Sequence, residues 1–256
     1  MAHWTDEAFR EHPEVFRRHL ETRLDDAVAE TEDLLALLAD HDIDPDRALD
    51  VACGIGRHAV ELGDRGVAVR GIDISESYLD RARERVADRG VGDAVTFERA
   101  DMRDLGDRSE EYDLVYNLWT SFGYYDEATD RAVLAGMADR TAAGGALVLE
   151  LVNREGVLAD FRPAGIPEDD EDGLVVESAE YDPETARMET TRRIFSTTDE
   201  GYDYGGEMVY DVRLYAPAEL AALCRDAGFG DVSLYAGLGG EPLERESTRL
   251  VVVAEP

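Results

Sequence analysis

The sequence predicts an α/β protein: a mostly parallel sheet with helices on both faces, then an antiparallel β insert, then two closing strands. Three observations carry this prediction. Short apolar runs alternate with amphipathic stretches between residues 48 and 152. Those runs are near-continuous, as in strands buried on both faces. After Asn153 the pattern changes to strand-like stretches joined by turn signals.

Residues 5–40 read as helical, with Leu24, Val28, Thr31, Leu34, Leu35 and Leu38 at helical spacing. Asp42 to Asp46, around Pro45, break the pattern. Ala48 to Ala52 is the first strand, and a helix follows Cys53-Gly54-Ile55-Gly56 to about Arg65. Val67 to Ile72 is the second strand. Ser75 is an N-cap for a helix through Ala87 that places Tyr78, Leu79, Ala82 and Val86 on one face. Ala94 to Arg99 and Tyr112 to Leu118 are strands three and four. Glu127 to Thr141 reads as a helix closed by Gly144-Gly145, and Ala146 to Val152 as strand five. Pro163 to Asp172 reads as an acidic loop. Leu174 to Tyr181, Ala186 to Ser196 and Glu207 to Leu214 form the antiparallel insert. Pro217 opens a helix to Ala227, ended by Gly228. Asp231 to Ala236 and Arg249 to Val253 close the chain as strands.

The chain has 256 residues and a net charge of −33. All 26 basic residues are Arg, and both Lys and Gln are absent. A hydrophobic content of 44% is that of a globular protein, so the charge does not signal disorder. So negative a surface repels phosphate backbones and anionic membranes, and no apolar run reaches the roughly 20 residues of a spanning helix. Met1 to Arg10 is polar and acidic, unlike a secretory leader. The two cysteines make no disulfide framework, so a reducing cytoplasm is the expected location. Molar salt shortens the Debye length to about 3 Å and screens self-repulsion. The composition is therefore the one expected of a halophile's cytoplasmic protein.

Three features stand at the ends of the first three strands, where such sheets bind ligands. The first is Asp50-Val51-Ala52-Cys53-Gly54-Ile55-Gly56. Its glycines permit a tight strand-to-helix turn and close backbone approach, and the helix N-terminus beyond them suits an anion. The second is Gly71-Ile72-Asp73, an acid able to accept both ribose hydroxyls. The third is Asp101-Met102, an acid beside a flat apolar side chain, suited to adenine. Each alone has a plainer reading, as a turn, a helix cap or a loop acid among 59 acids. Their shared placement points to a nucleoside-containing ligand. NAD also fits the glycine spacing, but Asp50 would face its phosphates, and an acid there suits an ammonium group instead.

With these residues the sequence resembles the class I S-adenosylmethionine-dependent methyltransferases. Asp50 to Gly56 resembles their first motif, with Ala52 in place of its first glycine. Tyr112 to Leu118 resembles their strand-four motif. Asn117 to Asp126, which contains Ser121-Phe122-Gly123-Tyr124, resembles a small-molecule-type subgroup, as do Tyr181-Asp182-Pro183 and Ser247 to Leu250. The resemblance implies a Rossmann-like sheet of seven strands with a final antiparallel pair. It implies S-adenosylmethionine as cofactor, bound by Asp50, Ala52, Cys53, Gly54, Gly56, Asp73, Ile74, Tyr78, Asp101, Met102, Asn117 and Leu118. It also implies a helical cap over residues 1–44, a core over 45–153 and 216–256, and an insert over 154–215 that folds over the cofactor as a lid.

Methyl transfer from a sulfonium needs an in-line acceptor, exclusion of water and, for some acceptors, a base. Tyr124 and Tyr125 are the candidate catalytic residues. Trp119 and Phe122 are expected to wall the adenine or acceptor pocket, and His58 to be a first-turn residue. Glu150 and Asn153 flank another lip of the crevice. Arg213 is expected to pair with a local acid rather than an acceptor carboxylate. Cys53 is expected to matter for its small size. His3, His12, His19 and His41 lack metal-ligand spacing, so no metal is expected. Asn117-Leu118-Trp119-Thr120 stands where base-methylating families carry Asn/Asp-Pro-Pro-aromatic. Together with the acidity, this points to a small-molecule acceptor and away from nucleic acid. An NAD-dependent oxidoreductase and a non-catalytic S-adenosylmethionine-binding protein are the competing readings.

Overall fold

The computed structural model describes residues 3–170 and 173–256. The N-terminal segment holds α1 (Trp4–Asp6), a π-helical turn (Glu7–Glu11), α2 (Glu14–Glu21) and α3 (Asp26–Asp40). The core then alternates β1 (Arg47–Val51), α4 (Arg57–Asp64), β2 (Ala68–Asp73), α5 (Glu76–Arg89), β3 (Val95–Arg99), a 3-10 turn (Met102–Asp107), β4 (Tyr112–Asn117), α6 (Glu127–Ala138) and β5 (Thr141–Val152). After α7 (Arg154–Ala159) come β6 (Ala164–Asp170), β7 (Gly173–Asp182), β8 (Arg187–Thr198) and β9 (Gly201–Arg213). The chain closes with α8 (Pro217–Asp226), β10 (Asp231–Tyr235) and β11 (Arg249–Glu255).

The main sheet has seven strands in the order β10-β11-β5-β4-β1-β2-β3. β1 to β5 pair in parallel, and β11 lies antiparallel between β5 and β10. Period-2 alternation divides the strand side chains between two cores. Leu147, Leu149 and Leu151 of β5 face a layer that includes Val133, Leu134 and Met137 of α6 and Leu220 and Leu223 of α8. Ala146 and Val148 face the other layer, with Leu34, Leu37 and Leu38 of α3 and Val60 and Leu62 of α4. The fold is the one the alternation predicts. The order reverses at β1, which pairs with β2 on one side and β4 on the other, and the crevice opens at that switch point.

Several boundaries differ from the sequence reading, among them β9, which begins at Gly201 rather than Glu207. The expected helix over Glu127 to Thr141 stops at Ala138, and Thr141 to Gly145 belong to β5. Tyr112 pairs with Thr141 before the register shifts to Leu114 with Ala146. Gly145 serves this bulge, because a Cβ there would strike the carbonyl of Asp113. The expected acidic loop over Pro163 to Asp172 is instead β6, an edge strand paired with β7 and shifted in register between Gly165 and Glu168, around Pro167. An edge tolerates proline and acids because one side needs no ladder donors. Residues 171 and 172 lie outside the described residues. The helical reading of 5–40 breaks near Pro13 and between α2 and α3, and Val28 is exposed while Ala27 and Leu37 are buried. β4 ends at Asn117 and β10 at Tyr235, one residue earlier than expected.

β6, β7, β8 and β9 form a separate antiparallel sheet. It is tied to the core where Arg213 N–H donates to the Gly123 carbonyl at 2.8 Å. No helix among the described residues is long and apolar enough to cross a membrane.

Candidate active site

A cavity of about 610 Å³ lies between the carboxyl ends of β1, β2 and β4, the N-terminal helices and the second sheet. Asp50, Ala52, Cys53, Gly54, Asp73, Ile74, Tyr78, Met102 and Leu118 line it, so nine of the expected cofactor residues converge there. The loop after β1 makes this convergence possible. Ala52 (φ 58°), Gly54 (φ 56°) and Gly56 (φ 69°) all adopt left-handed backbone conformations. Gly54 and Gly56 do so without strain, whereas Ala52 carries a Cβ penalty. A Cβ at Gly56 would collide with Phe97 at 2.6 Å, so Gly56 serves packing beneath the loop and does not line the cavity.

Asp73 braces the same loop. Its Oδ2 accepts from Gly54 N–H and its Oδ1 from Ser75 N–H, each at 2.8 Å. Burial pushes its carboxyl up to about 6, against those hydrogen bonds. Burial likewise pushes Asp50 up to about 7. Two buried acids near neutrality beside this tight loop form a site that gains from donors and positive charge. Asn117 lies behind the wall, where its Nδ2 donates to the Val51 carbonyl at 2.7 Å. It therefore holds β4 to β1 instead of reaching the cavity. Asp101 is also absent from the lining; Arg103 grips it through Nε at 2.9 Å and Nη2 at 2.6 Å, while Met102 and Ala100 face inward.

Tyr124 and Tyr125 both line the cavity. Arg187 of β8 holds their turn, with Nη1 donating to the Tyr125 carbonyl at 2.7 Å. Burial raises both phenols, so they remain protonated donors near neutral pH. Trp119 lines the cavity as expected. Phe122 does not; it is buried in the core against Tyr215, with ring centroids 5.3 Å apart. The three-residue offset from Trp119 to Phe122 places one ring at the lip and the other beneath it.

His58 is buried, and its Nε2 lies 2.8 Å from Glu30 Oε2. The same Glu30 takes Arg57 Nη1 at 2.5 Å and Trp119 Nε1 at 3.3 Å. Arg57 stacks over the Trp119 ring, 4.3 Å from its centroid. Glu150 pairs with Arg249 at 2.7 Å, and Asn153 caps α7. Arg213 pairs with Glu219 and Glu127, the expected local acids. Burial raises the Cys53 thiol well above its ordinary range, which fits a packing role.

Sequence reading missed the other walls. Trp4, Phe9 and Phe16 from the N-terminal segment and Glu177, Arg192 and Tyr210 from the second sheet complete the cavity. The aromatic residues before Pro13 lack helical periodicity, and the insert's alternation gave no cue to which face meets the core. Glu30 was one acid among 59.

Residues 48–145 match the family model described as a methyltransferase domain. The dTDP-3-amino-3,4,6-trideoxy-alpha-D-glucopyranose N,N-dimethyltransferase of Streptomyces venezuelae is 28% identical over 141 residues, 55% of this chain and 56% of that protein. The chain thus spans about half the length of the curated relatives it matches. The CcbJ methyltransferase of Streptomyces caelestis superposes with a TM-score of 0.76 at 22% identity, over 88% of this chain and 94% of that one. Streptomyces venezuelae DesVI superposes with a TM-score of 0.70 at 24% identity, over 96% and 98%. The chain shares its fold with these solved methyltransferases, and residues 48–145 carry the methyltransferase-domain match.

Proposed function

We propose that the protein is an S-adenosylmethionine-dependent methyltransferase acting on a small-molecule acceptor. The single observation that carries this reading is the convergence of Asp50, Gly54, Asp73 and Met102 on one cavity at the switch point of the sheet. The donor set fits the cofactor. Asp50 suits its ammonium group, Asp73 its ribose hydroxyls, and Met102 with Ile74 and Leu118 the faces of its adenine. When bound, the cofactor supplies an activated methyl group. The chain's own residues then need only exclude water and orient the acceptor. The N-terminal helices do the first, latched by the Tyr78 hydroxyl donating to the Pro13 carbonyl at 2.9 Å. Tyr124 and Tyr125 serve the second as hydrogen-bond donors, not as bases. Asp101 stands beside the cavity in the grip of Arg103, and Gly56 and Asn117 act beneath the loop.

The streptomycete dimethyltransferase acts on an amino-sugar nucleotide by its name, which supports a small acceptor here. The cavity of about 610 Å³ and the net charge of −33 support the same class over nucleic acid. Two buried free cysteines accord with a reducing cytoplasm. The helical cap, the core and the insert stand as proposed working units, with the boundaries given above. Calorimetry with S-adenosylhomocysteine and NAD in molar salt tests the reading. Binding of the first alone is expected, and binding of NAD alone would overturn it. Label transfer from S-adenosylmethionine into a metabolite extract separates an enzyme from a binding protein.

A further inference from the structure

We infer that the half of the cavity facing the second sheet is a binding site for an organic ammonium group, so that the acceptor is an amine. This deepens the methyltransferase reading and rests on it. Trp4 and Tyr124 lie edge to face with centroids 4.8 Å apart. Phe9 stacks on Tyr124 at 5.9 Å, and Phe16 meets Tyr210 at 5.4 Å. Trp4 and Tyr210, 6.0 Å apart, join the two groups. All five line the cavity. A wall this rich in aromatic faces attracts a desolvated cation through the ring quadrupoles. Arg192 already uses this property, sitting 5.4 Å over the Phe16 ring.

The second observation is Glu177, on β7. It lines the same cavity and is its acid on the sheet side, remote from the glycine loop. Tyr210 donates to its Oε1 at 3.2 Å, and Arg192 Nη1 lies 3.5 Å from the same oxygen. Both contacts fall on Oε1. No hydrogen bond among the described residues uses Oε2, and the side chain keeps 26% of its surface accessible. Arg192 meets Glu177 and Phe16 within the wall, and Glu177 still keeps accessible carboxylate surface for a ligand. A buried ion pair contributes little net stability to a fold, so its place in a cavity wall is better explained by recognition. Ring faces around a partly accessible carboxylate are the chemistry that selects an ammonium group over a neutral or anionic one. Nitrogen also suits the reaction. The ammonium has no lone pair, so the nitrogen would first give a proton to the Glu177 carboxylate. Its N–C bond would then form as the cofactor's methyl–sulfur bond broke, and the methylated nitrogen would again be cationic, whereas hydroxyl, thiol and carbon acceptors end neutral.

The test uses choline, its neutral carbon isostere 3,3-dimethylbutan-1-ol, and the anion 3,3-dimethylbutanoate. Binding of each to the whole protein saturated with S-adenosylhomocysteine is measured by ligand-observed NMR in molar potassium chloride. Choline is expected to bind about tenfold more tightly than the isostere, with the anion weakest. Glu177→Gln should cut that preference several-fold while leaving affinity for the isostere unchanged. Should that variant fail to fold, Trp4→Leu carries the same expectation from the ring side. Equal binding of choline and isostere, tightest binding of the anion, or full preference retained in a folded variant would overturn the inference. Failure of S-adenosylhomocysteine to bind would instead overturn the methyltransferase reading itself.

Discussion

His58 Nε2 and Glu30 Oε2 stand 2.8 Å apart, joining the first turn after the glycine loop to the N-terminal helix α3. Burial alone would raise the Glu30 carboxyl, but His58 and Arg57 outweigh it and hold the group at about 2. Its contribution to stability is present above the unfolded value of 4.5 and is lost as pH falls toward about 2. Burial lowers His58 below 6.5, so protonating it also costs the folded state, starting as pH falls below 6.5. Both effects act in the same direction. Glu30→Ala should cost about 3 kcal/mol at neutral pH and flatten the acid limb of a stability–pH profile measured by urea unfolding. An unchanged limb would refute the linkage.

Asp50 and Asp73 behave in the opposite sense. Burial raises them to about 7 and about 6, so their ionisation penalises the folded state and is relieved as pH falls. A ligand bringing an ammonium group and ribose hydroxyls should restore ionisation. Binding of S-adenosylhomocysteine at pH 7 should therefore release about half a proton, fading at higher pH. Calorimetry in buffers of different ionisation enthalpy reads this directly, and Asp50→Asn should abolish it. Proton uptake would contradict the assignment.

Asp73→Ala should weaken S-adenosylhomocysteine at least about tenfold, since it removes both a ribose acceptor and the brace on Gly54. Tyr124→Phe should leave that affinity unchanged and lower the rate of methyl transfer, because the ring stays and only the donor goes. A matching loss of cofactor affinity in Tyr124→Phe would move that residue to the cofactor side.

Ala52 sits at φ 58°. Ala52→Gly removes the left-handed penalty and adds unfolded-chain entropy, for a net gain of up to about 1 kcal/mol. Gly71→Ala should do the reverse, because its Cβ would meet Phe97 at 2.6 Å and Cys53 Sγ at 2.9 Å. A loss of about 1–3 kcal/mol is expected. Thermal melts of both variants check the pair.

At a net charge of −33 with no Lys, the folded state should depend on screening. The unfolding midpoint should rise steadily with potassium chloride up to molar concentrations. A midpoint independent of salt would detach the composition from a saline habitat.

The sequence by itself determined the alternation of strands and helices, the glycine loop, and Asp50 and Asp73 at successive strand ends. Those features are local. They follow from periodicity, turn chemistry and chain order, and parallel strands place their carboxyl ends on one side. The tertiary structure decided what a contact between distant segments decides. It made Ala164–Asp170, expected as part of a loop, an edge strand, because β7 supplied the ladder. It put Gly145 into a strand bulge, because Asp113 lay against it. It withdrew Phe122 and Asn117 from the cavity, since one residue's step along a chain turns a side chain away. It also brought Trp4, Phe9, Glu177 and Tyr210 together from segments more than 150 residues apart in number. Three acids at strand ends could be read in order; the acceptor-side wall exists only where two remote segments close over them.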